Sequence, residues 1–145
     1  SEDKINEIIH ACENMSKSKT GAIIVIEKNS NLESTINTGR IINCELSSTM
    51  LESIFFKNSP LHDGAVIIQN EKISAARCVL PISESINMPA TMGMRHKSAL
   101  GITEQTDCIS ITVSEQNGSI SFFEDGNLKT NLSIEKLKKQ IETSV

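Results

Sequence analysis

The tightest constraint on this chain is Gly21-Ala22-Ile23-Ile24-Val25-Ile26-Glu27, a continuous block of mostly β-branched side chains. It is too short for a helix of that character, and side chains stiff at χ1 favour an extended backbone, so the block predicts a fully buried strand. Ala65 to Gln69, around Val66-Ile67-Ile68, predicts a second strand, and Lys72 to Val79 a third. Asn70-Glu71 between them suits a hairpin although it holds no glycine. Pro81 stops the third strand. Cys108 to Ser114 and Ser119 to Phe123 alternate apolar and polar residues around Asn117-Gly118, a two-strand signal, and Asp125-Gly126 marks a further turn.

Between these blocks the period changes. From about Asp3 to Ser18, Ile5, Ile8, Ile9, Cys12 and Met15 recur at spacings of three and four, the stripe of an amphipathic helix over about residues 1–18 that leads into the domain. Ser47, Ser48 and Thr49 offer N-caps to a helix ending near Lys57-Asn58, with Thr49 and Glu52 at capping-box spacing and Met50, Leu51, Ile54 and Phe55 on its apolar face. Arg95 to about Thr106 reads as a helix with Ala99, Leu100 and Ile102 inward, despite Gly101. Ser133 caps a last helix carrying Ile134, Leu137 and Ile141. Asn29 to Thr38 reads as a polar connection leading through Gly39-Arg40 to a short Ile41-Ile42 strand, and Ser83 to Met94 as a loop whose methionines edge a pocket. Helices interspersed with strands, without a repeat, predict an α/β domain: a mixed sheet flanked by helices.

At 145 residues the chain is expected to form a single domain spanning 1–145. Its formal charge of −4 argues against a general nucleic-acid surface, so no nucleic-acid partner is expected. Cys12, Cys44, Cys78 and Cys108 fall singly inside apolar segments, without a C-x-x-C pair, and read as reduced thiols of a cytoplasmic protein. No run approaches the roughly 20 apolar residues that span a bilayer. Ser1 is not a natural initiator, so an upstream segment, including a membrane anchor, is compatible with the sequence.

Two stretches carry the chemistry. Pro60-Leu61-His62-Asp63-Gly64-Ala65 sets a carboxylate beside two residues too small to obstruct an approaching phosphate or metal. Asp-Gly alone is a turn signal, and His62 alone reads equally as a structural histidine or as a ligand for a divalent ion. The second stretch, Gly93-Met94-Arg95-His96-Lys97-Ser98-Ala99-Leu100-Gly101, changes that balance. Positive side chains at a helix N-terminus are electrostatically unfavourable unless an anion is expected there, and the free N–H groups of the first turn favour one. Arg95, His96 and Ser98 are then candidates to hold a triphosphate, with Gly93, Met94 and Lys97 around them.

Asp63-Gly64-Ala65 and Arg95-His96-Lys97 together resemble the two marks of the diadenylate cyclase domain, a DGA triplet and an RHR triplet with a small or hydroxylated residue soon after. The resemblance runs from about Met15, through Thr20 to Glu27 and Leu80-Pro81-Ile82-Ser83-Glu84-Ser85, to Val113-Ser114-Glu115 and Gly118, and is closest in pattern to the membrane-associated members. Two positions depart from it: Lys97 replaces the second arginine, and Met94 stands where Thr or Ser is usual.

The resemblance implies a twisted mixed β-sheet with helices on both sides, and an enzyme that condenses two ATP into cyclic di-AMP and two pyrophosphates. It implies a divalent ion (Mn, Mg or Co), with Asp63 as metal ligand and activator of the ribose 3′-hydroxyl, His62 sharing the metal and Glu115 near it. Leu80, with Ala76 and Val66, is expected either at an adenine pocket or in the core. Because one pocket holds one ATP and two bonds must form, a homodimer of opposed sites is expected. The competing expectation is a sensor domain that binds ATP or cyclic di-AMP without turnover.

Overall fold

The structure, a computed structural model, describes residues 1–85, 89 and 92–145. Helix α1 spans Glu2–Ser18, strand β1 Ala22–Ile26, α2 Glu33–Ile36, β2 Arg40–Glu45, α3 Ser48–Phe55, β3 Ala65–Gln69 and β4 Lys72–Cys78. Helix α4 spans Met94–Gln105, followed by β5 Ile109–Val113, β6 Ile120–Glu124, β7 Asn127–Lys129 and α5 Ile134–Ser144. The strands form one seven-stranded sheet in the order β2-β4-β3-β1-β5-β6-β7. Only β1 and β3 pair in parallel, as a chain that leaves β1, crosses through α2, β2 and α3 and returns alongside must; every other neighbour is antiparallel.

Side-chain alternation divides the interior into two cores. Ile24, Val66, Ile68, Ile111 and Val113 face α1, α3 and α5, meeting Cys12, Met15, Leu51, Phe55, Leu137 and Ile141. Ile23, Val25, Ile67, Ala75 and Phe123 face α2 and α4, meeting Ile36, Leu100 and Ile102. Strands β1 and β3 are therefore apolar on both faces, which is the physical reason for their continuous runs, whereas β5 turns Ile109, Ile111 and Val113 to the α1 side and buries Ser110 and Thr112 on the other. The predicted mixed sheet with helices on both sides is what the chain adopts. Each fully buried Leu, Ile or Phe on these faces contributes about 1.5–3 kcal/mol.

Local departures have local causes. The Asn29–Thr38 connection contains the one-turn helix α2, pinned by buried Leu32 and Ile36, two apolar residues in an otherwise polar stretch that hides the period. The Ile41-Ile42 strand extends to Arg40–Glu45 around a bulge at Asn43, whose φ is +52. β7 was hidden by its length of three residues, only Leu128 of which packs inward. The cap of α3 is Ser47, whose hydroxyl accepts from the Met50 N–H; Thr49 lies inside the helix, and Glu52 instead accepts from Asn14 of α1. Asn70 and Glu71 both take positive φ, 53 and 63, the two-residue primed turn that matches strand twist.

The four cysteines are free. Burial pushes the Cys12 thiol up to about 12 and those of Cys78 and Cys108 up to about 11, so these three are inert at neutral pH. Among the described residues no helix is long and apolar enough to cross a membrane.

Candidate active site

Sheet topology gathers the site. β1 runs parallel to β3 and antiparallel to β5, with Ile24 opposite Val66 and Ala22 opposite Val113. The start of β1, the start of β3 and the end of β5 therefore share one sheet edge, which collects Gly21, Gly64 and Ser114.

At the β3 start, the register against β4 shifts between Ala65 and Ile67. Gly64 has φ +80, and a Cβ there would lie 2.7 Å from the Cys78 carbonyl oxygen, so the position accepts only glycine. Asp63, just before it, is held out with 79% of its side chain exposed. His62 is fixed from behind. Its backbone N–H donates to the Ser59 carbonyl at 3.3 Å, and its ring Nδ1 stands 2.8 Å from the same oxygen. A carbonyl only accepts, so Nδ1 carries the proton and Nε2 of the neutral ring presents a lone pair. That Nε2 lies 3.3 Å from Asp63 Oδ1. Two acceptors thus face each other, an arrangement satisfied by a second ring proton or by a cation shared between them.

The opposite wall is the start of α4. Its N-cap, Gly93, supplies no side-chain cap, and its first turn holds no acidic residue. The Lys97 N–H bonds back to the Gly93 carbonyl at 3.2 Å, which leaves the N–H groups ahead of it for an anion. Arg95, with 28% of its side chain exposed, places Nη1 3.7 Å from Glu115 Oε1 on the β5–β6 turn. His96 is half-buried, its Nε2 3.3 Å from Ser121 Oγ and its ring edge-on to Phe123 at 5.8 Å. Burial, and secondarily the Arg95 charge, push its pKa below the usual 6.5, so the ring is neutral at pH 7 and acts as a hydrogen-bonding group rather than as a cation.

Between these walls lies a cleft of about 700 Å³, within the range of small-molecule sites. Gly64, Gly93, Met94, Arg95, His96, Ser98 and Glu115 all line it. Asp63 and His62 precede Gly64 at its edge. Met92 lines it too, while Met88 lies outside the described residues. Lys97 stands outside the lining and uses its carbonyl to accept from the Ser83 N–H at 2.9 Å. Ala65 is fully buried where β3 begins. Leu80 packs in the α4-side core, whereas Val66 and Ala76 lie across the sheet in the α1-side core; the three therefore do not wall one pocket, because strand alternation separates them. Glu115 pairs with Arg95, and among the described residues no group of three or more His, Cys, Asp and Glu is placed to hold a metal ion. A metal at His62 and Asp63 would complete its coordination with substrate oxygens and water.

Several lining residues escaped the motifs: Gln116, Asn117, Ser119 and Ser121. For Ser119 and Ser121 the signal is their alternation with Ile120 and Phe122, which puts small hydroxyl side chains on one face at and just before β6, Ser121 among them fully buried. Ser59, which sets the His62 tautomer, gave no signal beyond its spacing of three.

An α/β domain whose sheet edge meets an uncapped, arginine-bearing helix N-terminus across a cleft of this size is of the class that binds small anionic ligands such as phosphates. The comparison with known families narrows that class: residues 9–128 match the family described as DisA bacterial checkpoint controller nucleotide-binding, and the chain belongs to it. It is 43% identical over 138 residues to the cyclic di-AMP synthase CdaA of Bacillus subtilis, covering 95% of this chain and 50% of that protein. It is 42% identical over 135 residues to a Listeria monocytogenes diadenylate cyclase, covering 93% of this chain and 50% of that one. The chain thus spans about half the length of these curated relatives. Its fold superposes on DacA from Staphylococcus aureus, a double mutant, with a TM-score of 0.96 at 38% identity over 99% of this chain and 95% of that one. A Bacillus cereus protein described as a hypothetical membrane spanning protein matches with a TM-score of 0.85 at 40% identity, over 88% of this chain and 63% of that one.

Proposed function

We propose that this chain is the catalytic domain of a diadenylate cyclase, condensing two ATP into cyclic di-AMP and two pyrophosphates. The observation that carries the reading is the start of α4: uncapped, free of acidic residues, with unbonded first-turn N–H groups and Arg95 lining one cleft. Family membership selects the reaction from among those a triphosphate site can support.

The N–H groups of the first turn, Arg95 and Ser98 hold the triphosphate, and neutral His96 donates or accepts without adding charge. Asp63 accepts a hydrogen bond from a ribose 3′-hydroxyl and takes its proton as the 3′-oxygen bonds to the α-phosphorus of the other nucleotide. The bond from that phosphorus to the bridging oxygen breaks, and pyrophosphate leaves with the electron pair, its charge met by Arg95 and the helix N-terminus. The step occurs twice, once from each nucleotide. The apposed lone pairs of His62 Nε2 and Asp63 Oδ1 fit a divalent ion such as Mn²⁺, Mg²⁺ or Co²⁺. When bound there, such an ion lowers the proton affinity of the hydroxyl and neutralises phosphate charge.

One cleft accommodates one ATP, so closing two bonds between two nucleotides requires two domains with Asp63 sites opposed about a two-fold axis. An anchor upstream of α1 is compatible with this arrangement, since opposed domains leave their other faces free. The deciding test is incubation with ATP and Mn²⁺, followed by chromatography. Cyclic di-AMP and two equivalents of pyrophosphate are expected, with none formed in excess EDTA. ATP that binds and is recovered intact would refute the cyclase reading and leave a sensor domain.

A further inference from the structure

Among the described residues, Arg95 is the one Lys or Arg side chain that lines the cleft. What fixes its guanidinium comes from the far side of the sheet edge. Gly21, immediately before β1, has no positive φ that would demand glycine. The reason for glycine is space: a Cβ built there would stand 2.5 Å from Arg95 Cζ, 2.5 Å from Nη2 and 2.7 Å from Nη1. Near-equal approach to three atoms of one planar group means that the guanidinium lies face-down on the Gly21 backbone. Its Nη1 then reaches Glu115 Oε1 at 3.7 Å. Arg95 is thus seated between a bare backbone surface on β1 and a carboxylate on the β5–β6 turn.

We infer that Gly21 is a positioning residue for Arg95, its missing side chain providing the flat seat that aims the guanidinium into the phosphate cleft. The inference rests on the reading of that cleft as a nucleotide site. The three atoms nearest a methyl at position 21 all belong to the far end of one flexible side chain, so the fold is expected to tolerate it, but restoring ordinary contact requires the guanidinium to move by about 1 Å. Arginine grips phosphate through a rigid planar fork, so a displacement of that size breaks bidentate geometry that a point charge would keep. Misplacements of 1 Å at a reacting group cost on the order of 10²-fold.

The test is a double-mutant cycle on binding. Dissociation constants for 3′-deoxy-ATP, which lacks the attacking hydroxyl and cannot turn over, and for inorganic triphosphate are measured in four proteins: wild type, Gly21→Ala, Arg95→Ala and the double variant. Gly21→Ala is expected to melt with the wild type and to weaken binding of both probes about tenfold, yet to change binding less than twofold in the Arg95→Ala background. An equal loss in both backgrounds, or no loss in the wild-type background, overturns the assignment. So does a large drop in melting temperature, because the methyl would then be disturbing backbone rather than one side chain. A wild-type protein that binds neither probe overturns the phosphate reading itself, an outcome distinct from additive losses in a protein that binds both.

Discussion

Gly101→Ala places two large effects in opposition. Gly101 lies inside α4, where alanine is about 1 kcal/mol more favourable than glycine, so helix propensity alone predicts a more stable protein. The packing predicts the reverse. A Cβ at 101 would lie 2.0 Å from the Pro81 carbonyl oxygen, 2.7 Å from its carbon and 2.9 Å from the Ser83 nitrogen, all backbone atoms that cannot swing aside. Relief requires α4 to move off the segment after β4. That movement strains the Ser83 N–H bond to the Lys97 carbonyl and the Ser83 hydroxyl bond to Glu104, each 2.9 Å, and loosens Leu80 and Leu100 beneath them. Overpacking of this kind costs about 1–3 kcal/mol, and weakening one neutral and one charge-assisted hydrogen bond adds about 2 kcal/mol. After subtracting the propensity gain, Gly101→Ala should destabilise by about 2–4 kcal/mol. Urea unfolding followed by circular dichroism measures this directly, with the midpoint falling while the slope is unchanged. A Gly101→Ala protein as stable as wild type, or more stable, would show that the close approach of α4 to Pro81 is not as described.

Other expectations follow from single residues. Asp63→Asn should keep the fold and 3′-deoxy-ATP affinity but lower cyclic di-AMP formation by roughly 10²–10⁴-fold, since the amide cannot take the hydroxyl proton; turnover within tenfold of wild type would remove Asp63 from the mechanism. Arg77 holds φ +56 where β4 carries an extra residue against β3, beside Gly64, so Arg77→Gly should stabilise by about 0.5–1 kcal/mol in the same urea assay, a gain whose absence would argue against strain at that position. His96 has a depressed folded-state pKa, so below pH 6.5 the unfolded chain binds a proton that the folded chain resists. Its contribution to stability is complete above 6.5 and lost as pH falls below it. The melting temperature should decline there with a slope that His96→Gln lacks, and identical slopes in the two proteins would assign the effect elsewhere.

Strands β1 and β3 were legible because burial on both faces forces a continuous apolar run, β5 because its apolar residues alternate with Ser110 and Thr112, and the helices because α1, α3 and α5 each bury one stripe. Within the candidate site, the Asp63-Gly64 and Arg95-His96 stretches could be picked out because each motif is local: a glycine forced by a tight approach, and an arginine beside a histidine where helix N–H groups point. What the sequence could not supply was everything set by which strands become neighbours. α2 and β7 are too short to show a period and exist because the sheet and α4 cover their few apolar residues. Leu80, Val66 and Ala76 were expected together at an adenine pocket or in the core; all three are core residues, but strand pleating sends Val66 and Ala76 to the opposite side of the sheet. Glu115 meets Arg95, and Arg95 meets Gly21, only because β1 lies between β3 and β5 with its start at their shared edge. No local propensity encodes those contacts, because their partners are brought together by long-range strand pairing rather than by spacing along the chain.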